Sequence, residues 1–272
     1  MVPHQPESAE PTLDPRGRLP DTQKECPAGH GSFLAKHYAG CFWSKCPECE
    51  REKIARHEAA LAAEAAANAE RARVWNHADS GLVGRFKRAT FDTFIARTPE
   101  QRVALEASRA FASTCTPAGG GGLWLIGQPG AGKTHLGSAM VLHLIDQRGL
   151  GACVHGVHEI MQMIKASFGT KGTSRSAWEG EPETGEQILE RLGSVPLLVL
   201  DEIGVARGSD WEAEQLFTIV DMRYRLERPT VLISNLPAPE IKATLGPRVY
   251  DRLREGVTVI PMNWASHRGE TK

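Results

Sequence analysis

The eight residues GQPGAGKT, Gly127 to Thr134, fit GxxxxGK[ST] and lie between an apolar run, LWLI, and a helical run, HLGSAMVLHLIDQ. That context constrains the fold. Glycines let successive backbone N–H groups turn inward around a polyanion, and the following helix presents the positive end of its dipole to the same point. In such a loop Lys133 reaches the β- and γ-phosphates and the Thr134 hydroxyl ligates magnesium. Gly127, Gln128, Pro129, Gly130, Ala131, Gly132, Lys133 and Thr134, with His135 next on the helix, are therefore the candidate nucleotide cradle. A strand–loop–helix unit of this kind also needs a sheet to sit in.

Further apolar runs supply the sheet: ACVHG (Ala152 to Gly156), LLVLDE (Leu197 to Glu202), TVLISN (Thr230 to Asn235) and VTVIPM (Val257 to Met262). Most are continuously apolar rather than alternating, as parallel strands covered on both faces are. With helical stretches between them, one from about Pro99 to Thr114, the pattern predicts an α/β fold around a parallel five-stranded sheet. LLVLDE ends in two carboxylates. Asp201 is placed to hold the magnesium through water and Glu202 to polarise an attacking water, an order that favours hydrolysis over binding alone. TVLISN brings Ser234 and Asn235 to the same sheet edge, where a polar side chain can orient that water. The polar, glycine-rich stretch Gly169 to Gln187 reads as a mobile loop, and there is no internal repeat.

At roughly 150 residues per domain, 272 residues make between one and two domains. A formal charge of -1 gives no global field toward nucleic acid or membrane. No apolar run is long enough to span a bilayer and the opening stretch has no apolar signal region, so the chain reads as non-secreted. Residues 1–24, rich in proline, read as a disordered tail. Cys26, Cys41, Cys46 and Cys49 then cluster, and residues 25–50 read as a metal-folded module. The alanine-rich residues 51–79 form a helical linker whose large apolar residues, Ile54 and Leu61, make only a thin stripe. Residues 80–272 form the nucleotide-binding domain. Within the module, the Cys46/Cys49 and Cys26/His30 spacings can close a tetrahedron around zinc. Cys41 competes with His30 for the fourth position, and His37 is a further candidate. Four protein ligands leave no open position, so such a site is structural. Cys115 and Cys153 read as buried thiols.

The succession of P-loop, LLVLDEIG, LISN and RVYDRLR resembles the AAA+ ATPases of the DnaC type, the bacterial helicase loaders. SGLVGRFKRATFDTF, IMQMIKASF (Ile160 to Phe168) and NWASHR extend the likeness over Ser80 to Arg268. The resemblance implies an AAA+ ATPase core lacking a full helical lid, with ATP, Mg²⁺ and Zn²⁺ as cofactors. It makes Asn235 the first sensor, Arg252 the arginine finger reaching a neighbouring subunit's nucleotide with Arg248 as the other candidate, and Arg268 the second sensor. Lys165, Phe168, Ser209 and Trp211 match positions where the family contacts single-stranded DNA, an aromatic ring stacking on bases and a lysine tracking phosphate. It also favours Cys26, His30, Cys46 and Cys49 as the zinc set, since HG after a first cysteine and CPxC later recur in the zinc modules of loader proteins. The implied function is ATP-dependent loading of the replicative DNA helicase, a DnaB-type hexamer, onto single-stranded DNA in replication initiation or restart. The chain would act as a homo-oligomer on the helicase, in the bacterial cytoplasm, from a chromosomal or phage-borne gene. An IstB-like transposition helper has similar core motifs, and a non-catalytic adaptor would use ATP only as a structural ligand.

Overall fold

The computed structural model describes residues 13–38, 42–169, 183–204 and 209–267. The chain divides into two compact units, one up to Asn68 and one from Ala69. In the first, β1 (Thr22–Glu25) pairs antiparallel with β2 (Ser32–Ala35), and β3 (His37–Tyr38) with β4 (Phe42–Trp43). The tail read as disordered through residue 24 is therefore structured at its end. Beyond Pro20 no proline interrupts the ladder, and Gln23 donates from its amide to the Ser32 hydroxyl at 3.0 Å. Residues 1–12 lie outside the described residues.

Helix α1 (Pro47–Ala78) runs for 32 residues and buries none of its side chains. Alanine, glutamate and arginine give it high propensity without an apolar face, as a thin Ile54/Leu61 stripe predicts. It begins at Pro47, ahead of the expected residue 51, because proline at the first helical position loses no hydrogen bond. The second unit takes in the last turns of α1, ahead of the expected boundary at 80. Arg73 and His77 both reach the Asp146 carboxylate, at 3.1 and 2.7 Å.

A short 3₁₀ helix (Gly84–Arg88) leads into α2 (Pro99–Thr114), β5 (Gly122–Gly127) and α3 (Lys133–Arg148). There follow β6 (Ala152–Gly156), α4 (Val157–Gly169), α5 (Gly185–Ser194), β7 (Leu197–Ile203) and α6 (Asp210–Arg225). The last elements are β8 (Thr230–Ser234), α7 (Ala238–Leu245), α8 (Pro247–Leu253) and β9 (Val257–Met262). Thr98, Thr184 and Ser209 each accept from the backbone three residues on, and Gln101, Gln187 and Glu212 return the bond. Each cap is worth about 1 kcal/mol. The box at Thr184 starts α5 inside the stretch read as a loop, so its last residues are helical; residues 170–182 lie outside the described residues.

The five strands of the second unit are parallel, in the order β6-β7-β8-β5-β9. Continuous apolarity arises because successive residues feed two separate cores. Leu123, Leu125, Val199 and Ile233 face α2 and α3. Trp124, Leu198, Leu200 and Leu232 face the helices after β6. Arg223, 1% exposed, ties α6 to the end of α5 and the start of β8, donating to the Leu192, Val195 and Pro229 carbonyls and the Thr230 hydroxyl. The carboxyl ends of β5, β7 and β8 bring the P-loop, Asp201, Glu202 and Asn235 to one edge of the sheet, where ligands bind in open α/β folds. Among the described residues no helix is long and apolar enough to cross a membrane.

Candidate functional site

A cleft of about 510 Å³ opens at this edge, lined by Pro129, Gly130, Gly132, Lys133, Thr134, His135, Asp201, Glu202, Ser234 and Asn235. The P-loop enters α3 through Gly132, which holds a left-handed φ of 95°. A Cβ there would press on the Phe94 ring, so the position takes only glycine. Lys133 is buried and its ammonium donates to the Gly127 and Gln128 carbonyls, both at 2.8 Å. The Thr134 hydroxyl donates to Asp201 Oδ2 at 2.8 Å, and Asp201 Oδ1 accepts the Glu202 N–H at 2.7 Å. Burial raises the Asp201 carboxyl above its ordinary range, partly offset by the Thr134 bond.

Consecutive residues of a strand point to opposite faces, so two adjacent carboxylates in one cleft need a break in the strand. It is present: the β7–β8 register shifts between Leu200 and Ile203. Glu202 sits there at φ 58°, a left-handed conformation costing about 1–3 kcal/mol for a residue with a side chain. Asp201 is thereby buried and Glu202 exposed, and both line the cleft. Ser234 anchors the bulge, donating to the Ile203 carbonyl at 2.8 Å, which leaves Asn235 as the exposed polar residue from β8.

His135 lines the cleft but is committed to its wall. Its Nε2 lies 2.9 Å from the Thr90 carbonyl and 3.2 Å from the Thr93 hydroxyl. Arg85, Phe86, Arg88, Ala89 and Thr93 complete that wall, with His267 also in the lining. Sequence reasoning quoted GRFKRATFDTF as a likeness without assigning any of it to the site. Two arginines flanking an aromatic just before a P-loop domain were the available signal.

Arg252 and Arg248 lie on α8, outside their own protomer's cleft. Arg252 pairs with Asp221 at 2.9 Å and stacks over Phe217 and Tyr224; its Nε is buried without a hydrogen-bond partner. Arg248 is exposed, its guanidinium 4.3 Å from the Phe217 ring centroid. Arg268 lies outside the described residues. Lys165, Phe168, Ser209 and Trp211 are brought together where α4 ends and α6 begins. Phe168, 69% exposed, meets Trp211 edge-on with ring centroids 6.1 Å apart. Lys165 lies 5.3 Å from the Trp211 ring centroid and pairs with Glu212 at 2.6 Å, while the Ser209 hydroxyl caps α6.

In the first unit, one ligand atom from each of Cys26, His30, Cys46 and Cys49 lies within 4.8 Å of the other three. His30 Nδ1 is 3.4–3.8 Å from the three sulfurs. These separations suit the edges of a tetrahedron built on Zn–S bonds of about 2.3 Å. Cys26 is held in a turn whose backbone closes through Cys26 N–H to the Gly31 carbonyl, and Cys49 in the first turn of α1. A hydrogen bond from the His30 backbone N–H is the chief cause holding the Cys26 thiol down to about 6. His30 Nε2 meets Glu52 at 2.9 Å, a carboxylate placed where it would orient the imidazole on a metal, and a partner the sequence reading missed. His37 is not in the cluster; its Nδ1 accepts the Leu19 N–H. Cys41 lies outside the described residues. Cys153 is buried, and Cys115 only half-buried.

Residues 120–272 match the family described as IstB-like ATP binding protein. The replicative helicase loader DnaC of Buchnera aphidicola subsp. Acyrthosiphon pisum is 34% identical over 194 residues, 71% of this chain and 74% of the relative. The chain belongs to this IstB/DnaC family of AAA+ ATP-binding proteins. DnaC of Escherichia coli K12 is 38% identical over 143 residues, and the match covers 52% of this chain and only about half, 54%, of that relative's length. Among solved structures, that titled crystal structure of the DnaC helicase loader has a TM-score of 0.56 at 24% identity, covering 66% of this chain and 99% of the other. Crystal structure of the DnaI has a TM-score of 0.55 at 21% identity, covering 70% and 96%. Both show the shared fold.

In this IstB/DnaC-family chain the segment after β9 runs along the P-loop. The Met262 carbonyl accepts the Gln128 N–H at 3.3 Å, the His267 N–H donates to the Gly130 carbonyl at 3.2 Å, and Trp264 Nε1 donates to the Ala131 carbonyl at 3.0 Å. A Cβ at Gly130, φ 82°, would collide with the Ser266 side chain. Two of these bonds hold the Gly130 and Ala131 carbonyls on the outer side of the loop, while the Gln128 N–H is itself tied to β9. Trp264→Phe keeps the ring and removes one bond of about 1 kcal/mol. The Michaelis constant for ATP is expected to rise about fivefold at nearly constant kcat. Steady-state ATPase kinetics check this, and an unchanged Michaelis constant would show that the bond does not position the loop.

Proposed function

We propose that this chain is an ATP-dependent loader of a replicative DNA helicase. The observation that carries the reading is the single cleft in which Lys133, Thr134, Asp201, Glu202 and Asn235 converge in a family that includes DnaC. Lys133 would hold the β- and γ-phosphates and Thr134 and Asp201 the Mg²⁺, which neutralises developing phosphate charge. Glu202 polarises the attacking water, and Asn235 orients it beside the γ-phosphate. Phe86, Ala89 and Thr93 supply the wall against which the base and sugar rest.

Arg252 and Arg248, outside their own cleft, serve the nucleotide of a neighbouring copy. The exposure of Arg248 leaves it able to take a new partner, and Arg252 would do so by giving up its pair with Asp221. Hydrolysis then depends on assembly on the helicase. The face of Lys165, Phe168, Ser209 and Trp211 takes single-stranded DNA, with Lys165 exchanging Glu212 for a phosphate. The first unit, folded around Zn²⁺ on Cys26, His30, Cys46 and Cys49, and the exposed α1 grip the helicase in the bacterial cytoplasm.

The IstB-like family match supports a second reading, a transposition helper with the same core. The deciding measurement is the native mass of the full chain mixed with the host's hexameric replicative helicase, ATP, Mg²⁺ and zinc. A loader gives a defined complex containing both proteins. Absence of any such complex under ATP overturns the loader reading in favour of the transposition helper.

A further inference from the structure

In the first unit, strand alternation separates two faces. Phe33, Ala35 and His37 point inward, and Trp43, paired with His37, joins them under Lys24, whose ammonium lies 4.0 Å from its ring centroid. Leu34, Lys36 and Tyr38 point outward, and Phe42, opposite Tyr38, shares their face. The outward rings are stacked on one another, centroids 5.5 Å apart at 23°, yet Tyr38 is 45% and Phe42 60% exposed. Nothing within the described unit covers them.

The charge around these rings points to one occupant. From Cys26 to Cys46 the sequence has no aspartate or glutamate, while Lys36 and Lys45 are both exposed. Two stacked, exposed rings flanked in sequence by the exposed Lys36 and Lys45 are the components of a single-strand platform: π-faces for bases and point charges for the intervening phosphates. Protein-docking faces share the enrichment in Tyr and Phe but are depleted in lysine, which here stands on both sides of the rings in sequence. We infer that the outer face of the β2–β4 region binds single-stranded DNA, with bases stacking on Tyr38 and Phe42 and phosphates beside Lys36 and Lys45. This is a second DNA contact, separate from Phe168 and Trp211, and it does not rest on the loader reading.

The test uses the full-length, zinc-loaded chain with a fluorescent oligo-dT, followed by anisotropy. Tyr38→Ala with Phe42→Ala is expected to weaken binding by about tenfold or more, since each base–aromatic stack contributes roughly 1–3 kcal/mol. Lys36→Gln with Lys45→Gln is expected to reduce the slope of log affinity against log salt by roughly 0.7 per lysine. Zinc content and ATPase rate should stay at the parental level in both variants. Photo-crosslinking of a bromodeoxyuridine oligomer should label Tyr38 or Phe42. The inference is overturned if dT affinity and salt slope are unchanged and crosslinks map only beyond Asn68. It is overturned equally if the ring variant keeps DNA affinity but loses a helicase complex, which would make the face a protein-docking surface.

Discussion

Glu202→Gln is expected to leave ATP and Mg²⁺ bound while slowing hydrolysis by about a hundredfold to ten-thousandfold, the range for losing a positioned general base. The two carboxylates of β7 have separate environments, which is why their replacements should differ. Asp201 is buried, bonded to the Thr134 hydroxyl and to the next N–H, and suits a metal-side role. Glu202 is exposed in the cleft and held in the left-handed region by the bulge. Glutamine keeps the side-chain length and the same backbone strain, so the variant should fold with unchanged stability and differ only in basicity. Asp201→Asn should instead weaken magnesium-dependent nucleotide binding, and Lys133→Ala should weaken nucleotide binding with or without the metal. Turnover needs to be measured with helicase and single-stranded DNA present, because in the proposed loader Arg252 or Arg248 of a neighbouring copy would complete the cleft. If Glu202→Gln hydrolyses ATP within a few-fold of the parent and supports helicase loading equally well, ATP is a structural ligand and the adaptor reading stands.

What could be read in the sequence divides along physical lines. A glycine loop between an apolar run and a helix has few structural solutions, and the five strands follow from runs that feed a core on each side of the sheet. The strand order was not legible, because which run lies beside β5 is decided by long-range packing rather than by any local pattern. Nor was the bulge at Glu202, since LLVLDE reads as an uninterrupted strand until the β8 register is known. Thr184 and Gln187 did carry a capping-box signature inside a polar stretch, but glycine and charge masked it. The cleft wall from Arg85 to Thr93 stayed hidden because irregular segments have no period. The same limit applies to the pairs Lys165–Glu212 and Arg252–Asp221, which join residues far apart in sequence.

Removing zinc is expected to unfold the first unit while leaving the second folded and able to bind nucleotide. Among its described residues only Cys26, Ala35, His37 and Cys46 are buried, and two of those four belong to the cysteine–histidine cluster. An apolar core that small stabilises almost nothing against the entropy of ordering the chain, whereas structural zinc contributes about 10–16 kcal/mol of apparent binding free energy. Chelation, or Cys49→Ser, should therefore abolish the near-ultraviolet signature of Trp43 and the amide protection of β1 to β4 together. Zinc release should titrate at one ion per chain. His30→Ala should cost most of the zinc affinity, and Glu52→Gln about tenfold to a hundredfold through the loosened imidazole. Cys41→Ser should leave affinity unchanged, because the three other thiolates and His30 Nδ1 would fill the tetrahedron. The reverse outcome, with Cys41 essential and His30 dispensable, would mean that the ion takes four thiolates and that the His30–Glu52 pair only caps the turn. Strands that kept their amide protection after chelation would mean that the hairpins and aromatic contacts hold the unit without metal.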